Sequence, residues 1–119
     1  MFHERGDLRR RTFEFARANG RMFRELPLRD RVAQVWGEQL LRAAGSVGAN
    51  YREAQRARSA AEYRSKLGDS LREADEALYW LELLEAEGLL APASCAPLKD
   101  EASQLIAIFV TLIRKGLDS

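Results

Sequence analysis

Very little in this 119-residue sequence can carry redox, metal or nucleophilic chemistry. Cys95 is the single cysteine, so no internal disulfide framework can form. No neighbouring residue completes a metal pair or a redox motif around it, and it reads as a structural thiol in a loop flanked by proline. The single histidine, His3, is terminal and reads as solvent-exposed rather than as a ligand or base. The three prolines (Pro27, Pro92, Pro97) cluster in two places and leave long Ala/Leu/Arg/Glu-rich stretches between them. The longest apolar run, around Leu105 to Ile113, is well short of the roughly 20 residues of a membrane span. The early positive charge is not followed by the apolar stretch of a secretory signal. The expectation is one soluble, cytoplasmic domain over residues 1–119 with no membrane segment.

Apolar residues make up 46% of the chain and charged residues 31%, a balance that excludes a disordered tail or a collagen-like fibre. The net charge is +1, yet the halves differ. Residues 1–66 hold 14 Arg and 1 Lys against 8 acids, whereas residues 67–119 hold 2 Arg and 2 Lys against 10 acids. Such asymmetry fits a nucleic-acid face on the first half, or head-to-tail pairing of subunits. Arg outnumbers Lys 16 to 3, which favours bidentate partners such as carboxylate or phosphate.

The hydrophobic spacing predicts helices only. A first helix spans about 7–26, on Leu8, Thr12, Phe15, Asn19 and Leu26, with Asp7 as N-cap and Pro27 as stop. A second spans about 30–57, with Asp30 as cap and a main stripe of Val32, Trp36, Leu40, Ala43, Val47, Tyr51 and Ala54. Beside it runs a row of small residues, Ala33, Gly37, Ala44 and Gly48, with Gly45 nearby. Each glycine inside a helix costs about 1 kcal/mol relative to Ala, which implies close approach by another backbone. Ser59-Ala-Ala-Glu62 reads as a capping box opening a third helix over about 60–87, with Gly88 just past its end. A fourth spans about 97–115, ended by Gly116. Four helices with short connections predict an antiparallel, up-down-up-down all-α bundle.

The fourth helix carries an apolar arc of about 200°, wider than the roughly 100° stripe of an ordinary surface helix. Trp80, Leu83 and Leu84 similarly widen the third. Part of this surface is expected to form a homo-oligomer interface, assigned to Trp80, Leu84, Ile106, Phe109, Val110 and Ile113, the other reading being a thick core that absorbs it.

Signals for catalysis are weak. Glu62, Asp69, Glu73 and Glu76 line one face of the third helix, but no Glu-x-x-His pair accompanies them, so a solvated face is expected rather than a di-metal site. GSVGAN at 45–50 lies within a helix and lacks the lysine of a phosphate loop. No metal, cofactor or catalytic residue is assigned, and an enzyme is not expected. Two polar features remain. Arg42, Ser46, Asn50 and Glu53 share one side of the second helix, either as a partner-recognition row or as a buried hydrogen-bond network. The first helix carries Arg5, Arg9, Arg10, Arg11, Arg17, Arg21 and Arg24, with Arg10, Arg17, Arg21 and Arg24 within about 60° of one another on the wheel. That strip is either a footprint for phosphates or a solvated face paired with acids. Exposed aromatics for base stacking are not expected, so binding should follow shape and backbone.

The stretch QLLRAAGSVGANYREAQRARSAAEYRSKLGDSLREADEALYWLELL (39–84) resembles the bacterial four helix bundle protein family, also called the 23S rRNA-intervening sequence protein family. DLRRRTFEFA (7–16), ELPLRDRVAQVWGEQLLRAA (25–44) and EASQLIAIFV (101–110) fit its other helices, so the likeness covers nearly the whole chain. Ser46, Asn50 and Glu53 match its S-V-P-A-N-I-A-E-G form, while Gly48, Tyr51 and Ala54 depart from it. The resemblance implies an antiparallel four-helix bundle assembled as a homopentameric ring, in a family with no established enzymatic activity. A related branch, the accessory variability protein of diversity-generating retroelements, forms a basic pentameric barrel that binds a reverse transcriptase and nucleic acid. The reading is a non-enzymatic homo-oligomer that binds RNA or DNA through Arg9, Arg10, Arg11, Arg17, Arg21 and Arg24. The alternative is an oligomeric scaffold for a protein partner, such as an accessory subunit for a reverse transcriptase.

Overall fold

The computed structural model describes residues 5–118, with side chains over 8–116. The expectation for His3 lies outside the described residues. Four helices account for nearly all of them: α1 (Arg5–Phe23), α2 (Arg31–Gln55), α3 (Ala60–Ala86) and α4 (Pro92–Asp118). No strand occurs among the described residues. Each helix packs on its two neighbours in the ring α1–α2–α3–α4, with α2–α3 the most extensive contact and α4–α1 the least. The result is a four-helix bundle about 49 Å long.

Local chemistry explains the boundaries, including those that differ from expectation. Asp30 caps α2 as predicted, its carboxylate accepting the Ala33 N–H at 2.9 Å. Ser59 caps α3 by accepting the Glu62 N–H at 3.0 Å, while the Glu62 carboxylate reaches back to the Arg58 N–H, one residue earlier than in the usual box. Gly88, at φ 73°, closes α3 in a Schellman arrangement, with the Leu89 N–H on the Leu84 carbonyl and the Gly88 N–H on the Glu85 carbonyl. α1 begins at Arg5, so Asp7 lies inside its first turn rather than at the cap. It ends at Phe23 and not at Leu26, because the residue before Pro27 is barred from the helical region. Arg24, Glu25 and Leu26 instead form turns with i→i−3 bonds. α4 starts at Pro92, five residues earlier than predicted, since proline is well accommodated at the first helical position. Pro97 therefore lies within the helix; its missing N–H leaves the carbonyl of the solvent-exposed Ala93 to water. Cys95 is consequently a buried helical residue, not a loop thiol, and its Sγ lies 3.8 Å from the Leu81 carbonyl oxygen. Gly116 falls inside the last turn of α4 rather than ending it, and its carbonyl accepts from Arg64.

A single core joins the four helices. Tyr51 of α2 and Phe109 of α4 fill its centre across the diagonal, with ring centroids 6.1 Å apart. Ser70, buried in α3, donates to the Val47 carbonyl at 2.9 Å and ties α3 to the backbone of α2. On α2 the buried row starts at Ala33 and Gly37, not at Val32, which is left exposed. The cause is Phe23 and Leu26: a Cβ on Gly37 would stand 2.6 Å from each side chain. Gly48 answers the expected close approach, its absent Cβ lying 3.1 Å from Thr12 Oγ1 on α1. Gly45 does not, since a Cβ there would meet nothing within 4 Å.

The apolar breadth of α4 goes largely into the bundle. Leu105 and Phe109 are fully buried, and Ile106, Ile108, Leu112 and Ile113 are half-buried against the core. Leu84 of α3 is also fully buried. Leu84 and Phe109 are therefore core residues and cannot serve as the interface side chains predicted for them. Trp80, Ile106, Val110 and Ile113 each retain a solvent-facing part.

The two α2 glycines should respond oppositely to alanine. Gly37→Ala is expected to lower unfolding stability by about 1 kcal/mol or more, because overpacking against Phe23 and Leu26 outweighs the gain in helix propensity. Gly45→Ala is expected to raise it by up to about 1 kcal/mol. Urea unfolding of both variants checks this, and equal midpoints would mean that Phe23 and Leu26 move aside freely.

Candidate nucleic-acid interface

α1 presents its core residues Leu8, Thr12, Phe15, Asn19 and Met22 inward, all buried, so the opposite side must face solvent. Arg10, Arg17, Arg21 and Arg24 lie there, exposed, at spacings of seven, four and three residues. Arg10, Arg21 and Arg24 have no ion pair among the described residues, whereas Arg17 is compensated by Glu14 at 2.8 Å. The other two predicted members point elsewhere. Arg11 turns towards α4, where it engages Glu101 (2.9 and 2.5 Å) and Gln104 (2.9 Å). Arg9 lies beside α2 and donates to the neutral Gln55 amide oxygen at 2.9 Å, so its charge stays uncompensated.

Two open grooves flank this strip. Towards α4, a cavity of about 510 Å³ is lined by Phe15, Ala18, Pro97 and Leu98, with Arg10 and Arg21 at its edge and the Arg11–Glu101 pair beside them. Towards α2, Phe13 is 51% exposed, and the Arg52 guanidinium carbon lies 5.8 Å from its ring centroid. A space of about 240 Å³ there is bounded by Arg9, Arg10, Phe13 and Arg52. It adjoins one of about 260 Å³ where Phe13, Thr12 and Arg52 meet the small residues Ala16, Gly45, Gly48 and Ala49. The exposed Phe13 runs against the expectation of no exposed aromatic; its place two residues from Phe15, on the side of α1 away from the core, is the signal that could have found it.

The polar row on α2 is neither a buried network nor a free recognition surface. Arg42 bridges to α3 through Glu73 (3.4 Å) and a close pair with Glu76, and Glu53 pairs with Lys66 of α3 at 2.6 Å. Asn50 donates to the Ser46 carbonyl at 2.9 Å, within its own helix. The row thus forms a partly exposed ionic rail along the α2–α3 seam. The Trp80 indole N–H donates to Glu76 at 3.0 Å, and this bond, with Arg42, holds the Glu76 carboxyl below the usual glutamate range against partial burial. Across the α3–α4 seam, Lys99 stands 2.6 Å from Glu85. Burial, followed by the nearby Glu85 charge, pushes the Cys95 thiol up, which makes it a poor nucleophile. No group of three or more metal-ligating side chains occurs among the described residues, and no helix among them is long and apolar enough to cross a membrane. Among the described residues, Leu28 (84% exposed), Val32, Val35 and Tyr79 are further large apolar side chains left in solvent.

These features define an all-α protein, a four-helix bundle with ionic seams on three sides and a largely uncompensated arginine strip along its first helix and the turn that follows it. The chain belongs to the 23S rRNA-intervening sequence protein family, whose model matches residues 7–111. It is similar to the crystal structure of a protein of unknown function from the S23 ribosomal protein family of Bacteroides thetaiotaomicron, at 29% identity and a TM-score of 0.82. That match covers 89% of this chain and 97% of the other. No protein of curated function is detectably similar to it.

The ionic rail carries a pH signature. Because the folded Glu76 carboxyl is held below its ordinary value of about 4.3, its stabilisation is complete above that pH and fades as pH falls through the lower folded value. Glu76→Gln is expected to unfold at a lower temperature than wild type at pH 7. The two melting points should converge as pH falls through the lowered folded value and the Glu76 carboxyl takes up its proton. A gap unchanged across that range would assign the loss to packing rather than charge.

Proposed function

We propose that this protein is a non-enzymatic homo-oligomer, a pentameric ring by its family resemblance, that binds RNA or DNA through α1. The observation that carries the reading is the strip itself. Arg10, Arg21 and Arg24 are exposed and have no acidic partner among the described residues, and they fall together along α1 and the turn that follows it, whereas Arg11, Arg42, Lys66 and Lys99 pair across seams. Free guanidiniums at helical spacing along one edge are what a phosphate backbone requires. Repetition of the strip around an oligomer multiplies weak sites by avidity. The apolar surface left by Leu28, Val32, Val35 and Tyr79, with the exposed parts of Trp80, Ile106, Val110 and Ile113, supports association between copies. The same surface supports the second reading, a scaffold whose ring docks a protein partner.

Binding to a labelled structured RNA and a duplex DNA tests the first reading. With three free arginines engaged, affinity should fall about 40-fold between 50 and 200 mM salt for each protomer in contact. Arg10/Arg17/Arg21→Glu should abolish binding with the oligomer intact. An Arg10/Arg21→Glu variant, which keeps Arg17, should recover less affinity than an Arg17/Arg21→Glu variant, which keeps Arg10, because Glu14 already compensates Arg17. No binding at low salt would overturn the nucleic-acid reading and leave the scaffold. Light scattering should give a mass near five times the 13.5 kDa of the chain, and a mass of one chain would overturn the oligomer.

A further inference from the structure

We propose that Phe13, with the guanidiniums of Arg9, Arg10 and Arg52, forms a stacking subsite for an unpaired base of single-stranded RNA or DNA. The inference rests on the nucleic-acid reading of α1 and specifies which form of nucleic acid the face prefers. Phe13 is half in solvent and is not part of the bundle core, since Phe15 fills the inward position of the same turn, so its ring is open to a stacking partner. Three cations surround the ring and none has a carboxylate partner among the described residues. Arg9 is held by a neutral amide, Arg10 is free, and Arg52 lies over the ring. A π-face ringed by uncompensated guanidiniums suits a strand in which bases alternate with phosphates.

The surroundings make room for a flat group. Along the neighbouring groove α2 offers the small residues Gly45, Gly48 and Ala49 before Arg52, and packing within the bundle does not demand a glycine at position 45. Arg10 belongs both to this space and to the phosphate strip, so one strand lying along Arg10, Arg21 and Arg24 brings a base within reach of Phe13. The base must be unpaired, because bases inside a duplex are already stacked and cannot present a face to a ring set between two helices. Arg52 moves from the ring to the outer face of the base or to the adjoining phosphate, both of which a guanidinium accepts.

Fluorescence anisotropy with labelled oligo-U RNA, oligo-dT DNA and a mixed-sequence duplex of equal length, at one fixed salt, tests this on the intact oligomer. Phe13→Ala should weaken single-strand binding by about 5- to 150-fold, the value of one stacked base, and change duplex binding less than about twofold. Phe13→Tyr should restore it. Loss confined to the RNA or the DNA arm would still support the subsite and identify its source. Single-strand affinity unchanged by Phe13→Ala, while Arg10/Arg17/Arg21→Glu abolishes it, would overturn the subsite and leave the strip. An equal loss for single strand and duplex would mean that the ring only shapes α1, and would also overturn the subsite. Wild type that binds neither would remove both readings together. Circular dichroism melting of Phe13→Ala, expected to match wild type because the ring is outside the core, guards against a folding artefact.

Discussion

The bundle depends on how closely the first two helices can approach. α2 accommodates neighbours on both flanks, with Phe23 and Leu26 on one side and the side chains of α3 on the other. It does so by alternating very small and very large residues. Ala33, Gly37, Ala44 and Gly48 admit α1, and Leu40, Val47 and Tyr51 fill the space that remains. Close packing leaves no tolerance for a different order of sizes, because the interior is as dense as an organic crystal. Once Gly48 admits Thr12, the rotation of α1 is set, and with it which of its arginines face water.

Electrostatics follow that rotation. The seams are closed by Arg42 on Glu73 and Glu76, Lys66 on Glu53, Lys99 on Glu85 and Arg11 on Glu101. Each cation faces an acid on the adjacent helix, and such partly exposed pairs fix register more than they add stability. The basic surplus of the first half of the chain is therefore only partly neutralised by neighbours. Part of what remains, Arg10 and Arg21, lies on the outer edge of α1, while Arg29, Arg31, Arg52, Arg56 and Arg58 also have no ion pair among the described residues.

Much of this is legible in the sequence, and the failures share a physical cause. The four helices, the Asp30 and Ser59 caps and the Gly88 stop are all visible because each depends on one to four adjacent residues. Periodicity misplaces the end of α1 and the start of α4 because proline acts differently by position: Pro27 bars its predecessor from the helix, whereas Pro92 opens one. The stripe on α2 reads one residue off at its start because Val32 is the more hydrophobic side chain, but Ala33 is the one that fits. Leu84 and Phe109 look like subunit-interface residues for a related reason. A wide apolar arc shows how much surface a helix must cover, not which part of it the other three helices cover. Helical angles bring Arg10, Arg17 and Arg21 to one exposed side of α1, with Arg24 exposed in the turn just past it, while the separate commitments of Arg9 and Arg11 depend on where Gln55 and Glu101 lie.

The two kinds of leftover surface constrain one another. Leu28, Val32 and Val35 extend from the α1–α2 turn along the side of α2 that carries the ionic rail to α3, whereas the arginine strip occupies the outer side of α1. A second copy packed on the apolar side leaves α1 open, so association and anion binding do not compete for the same side chains. A ring built this way would carry its α1 strips at regular intervals, each too weakly charged to hold a nucleic acid alone. The near-neutral net charge is then no obstacle, because a strand responds to the local field within about 10 Å of its phosphates rather than to the total. The α3 acids Glu73 and Glu76 are meanwhile engaged by Arg42 on the α2–α3 seam.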